Sequence, residues 1–129
     1  MGLVVDTSVL VAAERERAVL DVPPDEDVGL STVVLMEYWK GVERADSALR
    51  RRQRVDFFER ATATFQLFPV TAATATTAAR VWSDLTGAGI AIGAVDLLIA
   101  ATALERDWGV LTLDMRDFGR VPGLRVLGP

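Results

Sequence analysis

The sequence predicts an α/β domain built on a parallel sheet that helices cover on both faces. Three observations point there. Short β-rich runs alternate with longer stretches of helical periodicity. Runs such as Leu3-Val4-Val5 are apolar without polar interruption, as a strand buried on both faces requires. The chain has 129 residues, half of them hydrophobic and a quarter charged, which fits one domain, residues 1–129, with a sizeable core. In sheets of this kind, ligands bind beyond the carboxyl ends of the strands.

The elements follow in order. Leu3-Val4-Val5 reads as a strand ending at Asp6, after which Thr7 or Ser8 can cap a helix carrying Val9, Leu10, Ala12 and Ala13. The acidic, turn-prone Asp21-Val22-Pro23-Pro24-Asp25-Glu26-Asp27 reads as a solvated loop. Asp27 to Leu30 is a second strand, and Ser31 or Thr32 caps a helix from about Val33 to Arg44. Asp46 to Ala61 is a helix with Leu49, Val55 and Phe58 among its apolar positions. Phe65 to Phe68 is a strand stopped by Pro69. Ala72 to Leu85 is an Ala/Thr-rich helix closed by Gly87 and Gly89. Val95 to Arg106 is the most apolar helix, Gly109 to Leu113 a fourth strand, and Leu124 to Leu127 a weak fifth.

Composition removes whole mechanisms. With no cysteine and no histidine, the chain has no disulfide framework, no Cys/His zinc site, no Ser–His or Cys–His nucleophile pair and no imidazole acid–base pair. Chemistry is left to carboxylates, hydroxyls, Lys40 and arginines. No stretch reaches the roughly 18 apolar residues of a membrane span, and the first residues lack the basic region and hydrophobic run of a signal peptide. A cytoplasmic protein that does not engage membranes is the expectation, in keeping with the absence of cysteine. The net charge of −4 argues at first sight against a nucleic-acid partner.

That objection weakens once the acids are placed. Asp6 follows the first strand and Asp114 ends the fourth, so both belong where such a sheet puts its ligands. Each alone could be a helix N-cap. Asp96 opens the most apolar helix, where an N-cap would be unremarkable but a lone anion in a buried stretch would not. Glu37 has Val33 and Val34 one turn before it, so its carboxylate lies on an apolar stripe; the plainer account is an exposed pair with Lys40 at i, i+3. Converging carboxylates without a cation repel one another. A hard divalent ion is the physical remedy, and Mg²⁺ or Mn²⁺ favours oxygen ligands plus substrate phosphate. Such an ion orients a water for in-line attack on a phosphodiester. Setting Asp6, Glu37, Asp96 and Asp114 aside from the 18 acids leaves 14, equal to the 14 basic residues.

The residues around these acids carry a resemblance. Val4-Val5-Asp6-Thr7-Ser8-Val9-Leu10, Thr32 to Gly41 around Glu37, Asp96 to Ala103, and Thr112-Leu113-Asp114-Met115-Arg116-Asp117-Phe118 resemble, in order, the four signature blocks of PIN-domain ribonucleases. The VapC toxins of bacterial toxin–antitoxin pairs are the most similar. The closing Arg120-Val121-Pro122-Gly123-Leu124 resembles the usual end of that family, and the match spans nearly the whole chain. The resemblance implies a three-layer α/β/α fold with a central parallel sheet of four to five strands, and Mg²⁺- or Mn²⁺-dependent endonucleolytic cleavage of RNA. Asp6, Glu37 and Asp96 fall on the family's three core acids. The fourth is Asp114, with Asp117 as a second candidate for the same role. Thr7, Ser8 and Thr112 stand beside the acids as contacts to them or to substrate, and simple capping accounts for each equally well. The family also implies a homodimer silenced by a VapB-type antitoxin, and inhibition of translation through cleavage of tRNA, rRNA or mRNA. The alternative is a PIN-like module that binds RNA or protein without cutting; the intact acid set argues against it.

Other features carry less. Arg50-Arg51-Arg52-Gln53-Arg54 could hold RNA phosphates or meet the antitoxin, although basic runs on helices are commonly just solvated faces. Trp39, Trp82 and Trp108 read as packing residues. The small residues of Ala72 to Ala79 permit close helix approach, within the fold or across a dimer. Gly87-Ala88-Gly89 lacks the lysine and context of a phosphate loop. A phosphoacceptor receiver domain would need a lysine at a late strand end, and the one lysine, Lys40, is mid-helix.

Overall fold

Five strands, β1 (Gly2–Val5), β2 (Asp27–Ser31), β3 (Gln66–Phe68), β4 (Gly109–Leu111) and β5 (Val126–Leu127), form one sheet in the order β3-β2-β1-β4-β5. Every pairing is parallel, with Leu3 opposite Val28, Val4 opposite Val110, Leu30 opposite Leu67 and Leu111 opposite Leu127. These coordinates are a computed structural model describing Met1–Pro129. The helices are α1 (Thr7–Glu16), α2 (Thr32–Glu43), α3 (Ala48–Ala61), α4 (Ala72–Gly87), α5 (Ala94–Leu104) and the single turn α6 (Met115–Phe118). None is long and apolar enough to cross a membrane.

The chain moves from β1 through β2 to β3 with α1, α2 and α3 in its connections. It then returns to β4 through α4 and α5. Right-handed crossovers put helices from outward and return journeys on opposite faces, giving the expected α/β/α layers. The helices group accordingly: α1, α2 and α3 pack on one another, and α4 packs on α5. Leu3, Val4, Val5, Val110 and Leu111 are wholly buried, as the uninterrupted apolar runs require. Ile99, Ala100, Ala101 and Ala103 on α5 are buried too, their small side chains letting the helix lie close to the sheet.

Several expectations shift in detail. The fourth strand ends at Leu111; the Thr112 N–H still donates to the Leu127 carbonyl at 2.9 Å, and Leu113 then leads into α6, which sequence periodicity could not reveal in four residues. Asp6 itself, not Thr7 or Ser8, holds the N-cap position of α1, and its side chain makes no capping bond. Ser31 caps α2, accepting from the Val33 N–H. Helix α4 runs to Gly87, with Ala88 as C-cap and Gly89 at φ 76° beyond it, the left-handed position that a helix exit favours for glycine. Leu49 is exposed on α3, whereas Phe58 is buried beneath Tyr38 and Trp39. Trp39 and Trp108 pack, the latter edge-on against Phe68, but Trp82 is 53% exposed and is not a core residue. Of the small-residue stretch on α4, Thr74 and Ala78 are buried while Ala72, Ala73, Ala75 and Ala79 are exposed.

Candidate metal centre

The strand order reverses between β1 and β4, neighbours at the centre of the sheet, and a crevice forms at such a switch point. Asp6 lies one residue beyond β1, and Thr112 and Asp114 just beyond β4. The Asp6 N–H donates to the Leu111 carbonyl at 2.9 Å, so the ladder continues to the first acid and fixes its backbone.

The Asp6 side chain is almost wholly buried, and its hydrogen bonds compensate the burial. Oδ2 accepts from Ser8 Oγ at 2.7 Å and from Thr112 Oγ1 at 2.8 Å. Each hydroxyl has a second task. Thr112 Oγ1 accepts from the Asp114 N–H at 2.8 Å, and Ser8 Oγ accepts from the Leu113 N–H at 3.1 Å. Two hydroxyls therefore couple the first acid to the backbone that carries the fourth. The third hydroxyl, Thr7 Oγ1, is buried with no hydrogen-bond partner and touches none of the acids through one.

Asp114 is the N-cap of α6, its Oδ1 accepting from the Asp117 N–H at 3.2 Å. The capping reading was thus right for Asp114, and capping also sets the spacing of the acids. Carboxylate oxygens of Asp96, Asp114 and Asp117 lie within 4.8 Å of one another. Asp117, the second candidate that the resemblance gave, stands in this group beside Asp114. Asp96 is not an N-cap. Gly93 occupies that position on α5, and Asp96 projects from the first turn.

Charge accumulates at Asp96. A carboxylate in the first turn of a helix is ordinarily favoured by the helix dipole. Here burial pushes its pKa up to about 6, and the negative charges of Asp6, Asp114, Asp117 and Glu37 push in the same direction. No cation acts against them at Asp96. Glu37 is within electrostatic reach of Asp96 but is not in the three-acid group. Its side chain is 27% exposed and pairs with Lys40 Nζ at 3.0 Å, so the plainer i, i+3 account of Glu37 holds together with its place beside the acids. A separate hollow of about 510 Å³ opens between the C-terminal end of α1 and α3, lined by Glu14, Arg17, Leu20, Arg50 and Phe57 among others, and it includes none of these acids.

Fold and acids together define the class: an α/β domain with a carboxylate centre, made only of oxygen donors, at the switch point of its parallel sheet. The PIN domain family matches residues 3–124. Ribonuclease VapC of Rickettsia bellii is 37% identical over 128 residues, covering 98% of this chain and 96% of that protein. Ribonuclease VapC1 of Rickettsia felis is 36% identical, with the same coverage of both chains. Among solved structures, VapBC2 from Rickettsia felis bound to a DNA fragment from its promoter superposes with a TM-score of 0.85 at 20% identity, covering 100% of this chain and 99% of that one. VapBC-5 from Mycobacterium tuberculosis superposes with a TM-score of 0.80 at 30% identity, covering 99% and 98%. The chain belongs to the PIN-domain family, in its VapC branch.

Proposed function

We propose that this chain is a metal-dependent endoribonuclease, the toxin of a VapBC-type toxin–antitoxin pair, and that it cuts RNA at the carboxylate centre. The observation carrying this reading is the convergence of Asp96, Asp114 and Asp117 at the switch point, with Asp6 tied through the Thr112 hydroxyl to the Asp114 backbone. Relatives named Ribonuclease VapC support RNA as the substrate, and neighbours that are VapBC complexes support a VapB-type antitoxin as partner. Homodimerisation and a cytoplasmic location complete the proposal, with arrest of translation as its consequence.

The residues fit a divalent ion. All the donors are hard oxygens; burial first, and then the negative charges of Asp6, Asp114, Asp117 and Glu37, raise the Asp96 pKa to about 6, and a cation would offset those charges. Asp96, Asp114 and Asp117 would hold Mg²⁺ or Mn²⁺, with Asp6 and Glu37 completing the acid set. When bound, the ion supplies Lewis-acid stabilisation of phosphoryl oxygens and lowers the pKa of a water. The chain's own groups supply orientation. Ser8 and Thr112 saturate Asp6 Oδ2 and leave Oδ1 without a hydrogen bond from the protein. The cap from Asp114 to the Asp117 N–H holds those two carboxylates in one register.

The test is cleavage of total RNA by the purified chain with Mg²⁺ or Mn²⁺, compared with EDTA and with Asp6→Asn. Cleavage is expected from the wild type with metal and from neither of the other two. Equal turnover by Asp6→Asn, or undiminished turnover in EDTA, rejects the assignment; RNA binding without any cleavage would leave the non-cutting module.

A further inference from the structure

A centre of carboxylates that acts on a polyanion needs cations beside it, and the densest basic run does not supply them. On α3, Arg50 pairs with Glu14 at 3.1 Å, Arg51 with Glu43 at 3.8 Å, and Arg54 donates to the Gly41 carbonyl; of these four arginines only Arg52 makes no such contact. Glu14 is eight residues along α1 from Asp6, roughly 12 Å at 1.5 Å per residue. The run is therefore spent on joining helices, at a distance from the acids.

Arg116 and Arg120 are in the opposite situation. Arg116 stands between Asp114 and Asp117 in α6 and is exposed; Arg120 follows one turn later and is half-buried. Neither side chain forms an ion pair, and neither makes a hydrogen bond within the protein. Phe118 is wholly buried and Val121 nearly so. Arg116 is on α6 itself, and Arg120 lies just past the Gly119 C-cap, in a turn where its N–H donates to the Asp117 carbonyl at 3.3 Å. Leu113 and Met115, each about half exposed, flank Asp114 and give the same rim an apolar surface.

We propose that Arg116 and Arg120 are the substrate-phosphate anchors of this centre, holding the RNA strand by phosphates next to the one that is cut. The inference rests on the endoribonuclease reading for the word "cut" but makes its own statement about binding. Guanidinium forks match phosphate oxygens bidentately, whereas an ammonium offers only a point charge. Arg116 on α6 and Arg120 just beyond it offer two such groups to a strand lying across the carboxylates, while the cap and the buried Phe118 fix the turn that precedes Arg120.

The experiment measures fluorescence anisotropy of a labelled single-stranded oligoribonucleotide in EDTA across a salt series, with RNA cleavage in Mn²⁺ alongside. The variants are Arg116→Gln, Arg120→Gln, the double variant and Arg116→Lys, with Arg52→Gln as an exposed-arginine control and Mn²⁺ binding as a check on the centre. The double variant is expected to bind several-fold more weakly, with the slope of log affinity against log salt reduced by about 0.7 per lost contact. In cleavage, half-saturating RNA should rise while maximal rate and Mn²⁺ affinity hold. Arg116→Lys should recover part of the loss, and Arg52→Gln should resemble wild type. Unchanged affinity and slope in the double variant overturn the proposal, as does an equal defect in Arg52→Gln, or a loss of maximal rate and Mn²⁺ binding with the slope intact. A wild type that binds RNA through these arginines but never cuts would defeat the nuclease reading while leaving the anchors standing.

Discussion

Asp96 is the residue at which burial and like charge meet. Its pKa of about 6 in the metal-free protein is above the 3.8 of an ordinary aspartate, so the folded chain holds this proton more tightly than the unfolded one. Stability from this group is therefore fully present below about pH 4 and is lost as pH rises through about 6. Asp96→Asn removes the titration. In EDTA at neutral pH, the variant is expected to melt a few degrees above the wild type, with the gap closing as pH falls towards 4. Added Mn²⁺ should reverse the order, raising the melting temperature of the wild type and not of the variant. A variant less stable than wild type in EDTA at neutral pH would show that neither burial nor like charge destabilises the ionised Asp96. At this scale the sequence was informative where an acid interrupts an apolar pattern, as at Asp96. It was mute about hydroxyl geometry: Thr7, Ser8 and Thr112 look alike in sequence, yet only Ser8 and Thr112 bond the Asp6 carboxylate.

Among the elements, the arginines of α3 other than Arg52 are engaged within the fold, whereas those at α6 are free. Five positions, Arg50 to Arg54, with four arginines look like a nucleic-acid surface, but Arg50 neutralises the buried Glu14, and the Tyr38 hydroxyl donates to the Arg54 carbonyl at 2.7 Å. Arg50→Met leaves Glu14 buried and unpaired. Because the arginine side chain is one-third exposed, the cost should fall between that of a surface and a buried pair, about 1–2 kcal/mol in urea unfolding. Cleavage per folded molecule and its salt dependence should be unchanged; a flatter salt slope would return the α3 cluster to the RNA surface. The stretch from the Asp114 cap through α6 to Arg120 carries two of the acids and both proposed anchors. Long periodic helices were legible to within a few residues because each buries one face. A four-residue turn has no period to read, and only the Asp114 cap reveals it.

For the whole molecule, the parallel sheet brings together segments from opposite ends of the chain. Arg125, just before β5, donates to Glu26 Oε1 at 2.7 Å and to the Gly2 carbonyl at 3.0 Å, tying the last strand to the loop before β2 and to the first strand. This bond and the guanidinium charge hold the Glu26 carboxyl below its ordinary 4.5. A depressed carboxylate stabilises the fold above its unfolded pKa and ceases to as pH falls through the folded value. Arg125→Met is therefore expected to lower the melting temperature at neutral pH. The deficit should shrink below about pH 4.5 without vanishing, since the bond to Gly2 is lost at every pH. A deficit independent of pH would remove Glu26 from the clamp.

The order of strands and helices and the buried character of the sheet were determined by the sequence itself, because periodicity, apolar runs and caps are local properties of neighbouring residues; the candidate acids were named from motif blocks that are likewise local. What only the tertiary structure decided is which acids meet. Asp96, Asp114 and Asp117 share one small volume, Asp6 is linked through the Thr112 hydroxyl, 106 residues away, to the Asp114 N–H, and Glu37 stays within electrostatic reach of Asp96 while paired to Lys40. Those relations depend on where parallel strands stop and on how an N-cap turns the chain at Asp114. Such distances come from packing between remote segments, on which spacing along the chain carries no information.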